Sequence, residues 1–214
     1  MSRLWPVWAL LLFALTFSLG FAAKTLAPLR LSVLDVDVNA VNSPVLDGLA
    51  LVLDVLDRPV VVALILVVAF VALLPRRGWR IALGACAATG LGWMTTLVVK
   101  AVVAQPRPAA LPLAHAVPVD PATLSYPSGH VVFVAALTTA VVVALRSIRG
   151  RAIAGIVGAL ITLAVGWSRL YVGVHFATDV IGGVVNGIAG ALLFAGLWNV
   201  LAARVWRHRA PHAA

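Results

Sequence analysis

Six stretches of the sequence are apolar for long enough, or nearly so, to cross a bilayer: approximately residues 5–22, 59–74, 81–99, 131–145, 153–167 and 180–205. A bilayer core takes about 20 apolar residues as helix, and shorter segments are tolerated where neighbouring helices cover their ends. The second, fourth and fifth stretches are the short ones and are expected to recruit a turn from the flanking sequence. Backbone polar groups in lipid must be satisfied within the segment, so long apolar runs of this kind predict helices. The fold class is therefore all-α, a polytopic membrane bundle of six transmembrane helices forming a single domain over residues 1–214. Composition agrees, with 63% hydrophobic and 11% charged residues, against roughly 45–50% and 25% for a soluble domain.

The net charge of +9 has two classes of explanation. Basic chains often bind nucleic acid or acidic surfaces, but in a polytopic protein Lys and Arg collect in cytoplasmic loops. Here Arg3, Arg76, Arg77, Arg80, Arg146, Arg149, Arg151, Arg204, Arg207 and Arg209 all fall on one side of the six-span layout, with no acid among them. The other side takes all seven Asp, and the chain has no Glu. Both termini are therefore expected in the cytoplasm of a multi-pass cell-membrane protein, and the stretch 100–129 outside. Nucleic acid is not an expected partner. Arg3 followed by a run ending in Gly20-Phe21-Ala22-Ala23 also fits a cleaved signal peptide, which would leave the downstream orientation unchanged.

Residues 23–58 are too polar to cross. Ser43-Pro44 reads as a helix start, an N-cap followed by proline at the first helical position. After it, Val45, Leu49, Val52, Leu53 and Leu56 share one face while Asp47, Asp54 and Asp57 fall on another, the pattern of an amphipathic helix lying at the interface. A metal site on these Asp is disfavoured, because helical spacing cannot build a cage of six oxygens. In the last span Gly183 and Gly187 stand in small-xxx-small spacing and predict close helix packing. Trp5, Trp79, Trp167 and Trp206 lie near span ends, as interfacial anchors do. Cys86 is the only cysteine, so no intramolecular disulfide exists.

The chemistry-bearing residues gather at the outer span ends. Half of the twelve prolines lie between Pro106 and Pro127, so the loop after the third span has an irregular course, a habit of functional loops. Lys100, Arg107 and Arg169 are three cations at span mouths, with only Asp120 and Asp179 among the nearby acids. Such a set invites a polyanion, Arg as a planar fork and Lys as a point charge. Snorkelling to lipid headgroups explains any one of them alone, but neither the prolines nor the histidines. Ser128 and Gly129 stand where the fourth span begins, so the hydroxyl and the free backbone N–H groups can also meet an anion. His175 and Asp179 are four apart and share a helix face if the last helix begins early. The carboxylate would then hold one ring nitrogen and leave the other as a nucleophile, with His130 as proton donor to a leaving oxygen. His115 lies within the loop, and His208 and His212 in the tail.

These residues carry a resemblance. The motifs Lys100 to Arg107-Pro108, then Pro127-Ser128-Gly129-His130, then Ser168-Arg169 through His175 to Asp179 meet in full the pattern KxxxxxxRP, PSGH, SRxxxxxHxxxD of the type 2 phosphatidic acid phosphatase (PAP2) family, related to the vanadium haloperoxidases. The resemblance implies an integral-membrane lipid phosphatase with its catalytic motifs over residues 100–179. It implies that His175 attacks phosphorus to form a phosphohistidine, that Asp179 holds its ring, and that His130 protonates the departing group and later activates water. Lys100, Arg107, Arg169, Ser128 and the Gly129 N–H would bind the phosphate. Neither cofactor nor metal is expected. The expected substrate is a lipid phosphate or diphosphate in the bilayer, polyprenyl diphosphate ahead of phosphatidic acid and phosphatidylglycerophosphate. Oligomeric state does not follow from the sequence. Vanadate-dependent halide oxidation is the rival enzyme reading, set against by the spans, since those enzymes are soluble. A transporter would place ionisable residues mid-span, where this sequence has none, and an inactive scaffold would not be expected to retain every motif position.

Overall fold

The structure, a computed structural model, describes residues 4–25, 33–41, 43–108, 114 and 123–207. His115, Asp120, His208 and His212 lie outside the described residues. In chain order the helices are α1 (Trp5–Thr25), α2 (Val33–Ala40), α3 (Pro44–Asp54) running into a 3-10 turn (Val55–Asp57), α4 (Pro59–Arg77), α5 (Trp79–Val103), α6 (Gly129–Ala144), α7 (Ile148–Tyr171) and α8 (Ala177–Arg207). No strand occurs among the described residues.

All six apolar stretches are helical, and five of the helices are long and apolar enough to cross a membrane. The second and fifth stretches gain their missing turns from flanking sequence, giving 19 and 24 residues. The fourth does not, and α6 stays at 16 residues. Its shortness has a physical reason. It sits in the middle of the bundle, packed by α5, α7 and α8, and its residues His130 to Ala136 are all buried, so protein rather than lipid surrounds its ends. Side chains such as Leu64, Val68 and Val71 of α4 and Leu160 and Leu163 of α7 are exposed, as lipid-facing positions should be.

α8 is the spine. It packs on α1, α5 and α6, and its small residues permit the approach. A Cβ at Gly187 would lie 2.5 Å from the Val132 carbonyl oxygen of α6, and one at Gly190 would lie 2.7 Å from Gly92 Cα of α5. The small-xxx-small stripe therefore serves packing inside the chain. Trp5 of α1 closes on Gly196, and Trp167 stacks on Tyr171 at 5.0 Å.

The largest departure from the sequence reading is the segment between α1 and α4. Proline 44 does open α3, but its Asp residues, although partly exposed, are engaged by side chains of the bundle. Asp35 Oδ1 accepts from the Ala177 N–H at 2.8 Å, at the start of α8. Asn39 donates to the Tyr171 carbonyl at 3.0 Å, and Tyr171 donates its hydroxyl to Asp47 at 2.5 Å. The segment is stitched across the ends of α7 and α8, over the mouth of the bundle.

Candidate active site

Three local stops bring the motif residues to one end of the bundle. α5 ends at Val103, where Ala104 takes the left-handed conformation (φ 51°) and its N–H returns to the Lys100 carbonyl at 2.8 Å. This turns Gln105 and Arg107 back over the bundle. The loop is then held by Ser125 N–H to the Gln105 carbonyl at 2.8 Å. Ser128 caps α6, and its N–H donates to the Asp179 carbonyl at 3.1 Å, tying the start of α6 to the first turn of α8.

His175 precedes α8 instead of lying on it, because the helix begins at Ala177. The expected shared helix face is therefore not how the pair forms. Asp179, in the first turn, folds back onto the preceding loop and accepts from the Phe176 N–H at 2.9 Å, as a side chain satisfying free N-terminal donors does. The same oxygen, Oδ2, lies 3.2 Å from His175 Nδ1 and accepts from the Ser125 hydroxyl. Its other oxygen accepts from Gln105 Nε2 at 3.2 Å. Asp179 is fully buried, and these donors are what make a buried carboxylate tolerable.

On the far side of the ring, Arg107 Nη1 lies 3.4 Å from His175 Nε2. A guanidinium can only donate and an ionised carboxylate can only accept. The two neighbours therefore agree on one tautomer, with the proton on Nδ1 and the lone pair on Nε2. Arg107 is itself aimed by bonds to the Thr123 hydroxyl (2.8 Å) and the Val174 carbonyl (2.9 Å). Burial, with the positive charges of Arg107 and Lys100, holds the His175 imidazole well below the ordinary histidine range.

Lys100 donates its ammonium to the carbonyls of Leu124 and Ser125. Arg169, 1% exposed, is not the unpaired cation that the sequence implied. Its Nη1 meets Asp54 Oδ1 at 2.5 Å and its Nη2 the Ala50 carbonyl at 3.2 Å. Burial would raise the Asp54 carboxyl, but the Arg169 bond and charge outweigh it and hold the group below its ordinary value. His130 Nδ1 lies 3.0 Å from Asp57 Oδ2, and its Nε2 lies 2.9 Å from the Asp54 carbonyl oxygen. Both ring nitrogens thus face oxygen atoms of the segment that follows α2.

The groups enclose a cavity of about 200 Å³ lined by Lys100, Arg107, Gly129, His130, Arg169 and His175, with Asp54 and Asp57 also in its wall. Of the eight residues singled out from sequence, six line it. Asp179 stands behind His175, and Ser128 is buried with an Oγ that has no hydrogen-bond partner. Among the described residues no group of three or more His, Cys, Asp or Glu could hold a metal ion. Asp54, Asp57, Gln105 and Ser125 were missed by sequence reasoning. Gln105 and Ser125 had a faint signal, as polar residues beside the motifs in a proline-rich loop.

A helical membrane bundle with a cationic, two-histidine cavity at one end is the class of protein these features define. The sequence profile of the PAP2 superfamily matches residues 81–202, more than half of the chain, and the chain belongs to that superfamily. It is a membrane phosphatase of the PAP2 type. Two solved structures share the fold. A transmembrane PAP2-type phosphatidylglycerolphosphate phosphatase from Bacillus subtilis is 21% identical with a TM-score of 0.69, over 94% of this chain and 98% of that one. LpxE from Aquifex aeolicus is 24% identical with a TM-score of 0.58, over 76% of this chain and 93% of that one. Among curated protein sequences no relative matches.

Proposed function

We propose that the protein removes a terminal phosphate from a lipid phosphate or diphosphate at the extracytoplasmic face of the cell membrane, through a phosphohistidine on His175 and without a metal. The observation that carries this reading is the setting of His175, whose Nε2 lies 3.4 Å from Arg107 on the cavity side while its Nδ1 lies 3.2 Å from the buried Asp179 carboxylate. Nε2 attacks phosphorus in line, the N–P bond forms and the P–O bond to the lipid breaks. His130 gives its proton to the departing oxygen. Water then attacks the phosphohistidine, His130 takes the water's proton, and inorganic phosphate leaves with His175 restored. Lys100, Arg107 and Arg169, with the Ser128 hydroxyl and the Gly129 N–H, neutralise charge on the equatorial oxygens, where most catalysis of phosphoryl transfer lies. Ser128 Oγ, buried without a partner, gains one when an anion enters.

A lipid substrate is supported by a second, more apolar cavity of about 210 Å³. It is lined by Trp93, Met94 and Leu97 and shares Asp57, Lys100 and Gly129 with the first. A phosphate on the cations thus has an apolar route for its tail. Polyprenyl diphosphate is the first candidate, followed by phosphatidic acid and phosphatidylglycerophosphate, since all three present a terminal phosphate to the same cations. Purified protein should release phosphate from this panel with EDTA present, and His175→Ala should abolish release. Turnover that EDTA stops but His175→Ala leaves intact would refute the mechanism.

A further inference from the structure

A second set of cations stands at the opposite end of the bundle, where α4 ends, α5 begins, α6 ends and α7 begins. Arg77 and Arg151 border a cavity of about 230 Å³, with Trp198 and Asn199 of α8 on its rim and apolar side chains such as Ile81 and Val143 in its wall. Each arginine uses its Nε on a carbonyl at the end of α6, Arg77 on Ala144 and Arg151 on Leu145. Those bonds fix the plane of each guanidinium and leave the paired Nη groups to point elsewhere. Arg77 Nη1 is buried and has no hydrogen-bond partner, and a buried charged donor without an acceptor is costly. Arg146 and Arg151 are near enough to repel Arg77. No acid is at hand in the sequence to relieve them, since the chain's acids are Asp35, Asp37, Asp47, Asp54, Asp57, Asp120 and Asp179, none in the segments that meet here.

We infer that this cavity binds the phosphate of an anionic phospholipid in the leaflet opposite the active site. Two guanidinium forks preset by backbone carbonyls match phosphate oxygens, and the orphaned Nη1 acquires its acceptor. The apolar wall below the arginines receives the first part of the acyl chains, which distinguishes a lipid phosphate from a soluble one. General attraction of basic loops to anionic headgroups would need neither the cavity nor the fixed guanidinium planes.

The test is a lipid titration of the full-length protein in detergent, read by native mass spectrometry with phosphatidylglycerol and phosphatidylcholine as probes. One phosphatidylglycerol should bind with a preference of about tenfold or more over phosphatidylcholine, the scale of a charge-assisted contact. Arg77→Gln with Arg151→Gln should erase that preference. Arg76→Gln with Arg149→Gln removes the same charge from the same end but outside the cavity, and should preserve it. Equal losses in the two double variants, or no preference in the parent, would overturn the site. Inorganic phosphate that binds as tightly as the lipid and is lost in Arg77→Gln with Arg151→Gln would overturn the lipid assignment. Arg151 is exposed, so Arg151→Gln alone, with a partial loss expected, serves if the double variant fails to fold. Catalysis plays no part in the readout, so the reaction at the other end can fail its own test independently.

Discussion

At the scale of single residues, the two histidines are held by carboxylates from different parts of the chain. Asp179 orients His175 from within the motif, whereas Asp57 reaches His130 from the turn after α3. If His130 is the proton donor, its carboxylate partner matters only when the leaving oxygen needs a proton. Asp57→Asn should therefore lower kcat/KM for an alkyl phosphate by roughly ten- to a hundredfold, part of the usual contribution of general acid catalysis. It should change kcat/KM for p-nitrophenyl phosphate little, because that group leaves as a stable anion. Equal losses on both substrates would mean that Asp57 only supports the fold. The pH dependence follows from His175. Its proton affinity is depressed by burial and by Arg107 and Lys100, so the neutral nucleophile persists below the ordinary histidine value of about 6.5, and the acid limb that it sets in kcat/KM lies below that value. Arg107→Gln removes one depressing charge and should move this limb upward, besides weakening binding. A limb that stays in place would show that His175 does not set it.

At the scale of elements, α8 works because it lacks side chains where it crosses α5 and α6. Gly187→Val places a branched side chain where even a Cβ would sit 2.5 Å from a backbone oxygen of α6, and should destabilise the bundle by about 1–3 kcal/mol or more. Gly48→Ala, on α3 with nothing within 4 Å of its Cβ, should leave thermal stability unchanged or slightly raised. Similar melting shifts in the two variants would contradict the packing role. The glycine stripe was legible in the sequence because helical spacing puts its members on one face, and the apolar runs were legible because the bilayer sets their length. The histidine, serine and cation positions were legible through fixed spacings near span ends. The roles of Asp54 and Asp57 were not. Their periodicity marks a polar face, but only the packing of α2 and α3 over α7, and of the following turn on α6, decides that this face meets Arg169 and His130. The start of α8 was misjudged for a related reason. Asp179 satisfies the N–H of Phe176, which keeps His175 in the loop while preserving the contact that helical spacing would have made.

At the scale of the molecule, the bundle separates its charges. All described acids lie toward the active end, on α2, α3, the following turn and the start of α8, while Arg76, Arg77, Arg80, Arg146, Arg149 and Arg151 lie at the other. The acids at the active end are not spare solubilising charge, since four of them fasten the segment between α1 and α4 to the site and its frame. Lys100 and Arg107 form no salt bridge among the described residues, and both line the cavity between the histidines, where an incoming phosphate would meet them. In the proposed mechanism this phosphate passes through a covalent bond to His175. That step is tested most directly by quenching the protein in alkali during turnover of a lipid carrying a labelled terminal phosphate, then mapping the label by mass spectrometry. An alkali-stable, acid-labile phosphoryl group is expected on the His175 imidazole, absent from His175→Ala. Full turnover with no label on His175 under conditions that preserve phosphohistidine, or label on another residue, would contradict it.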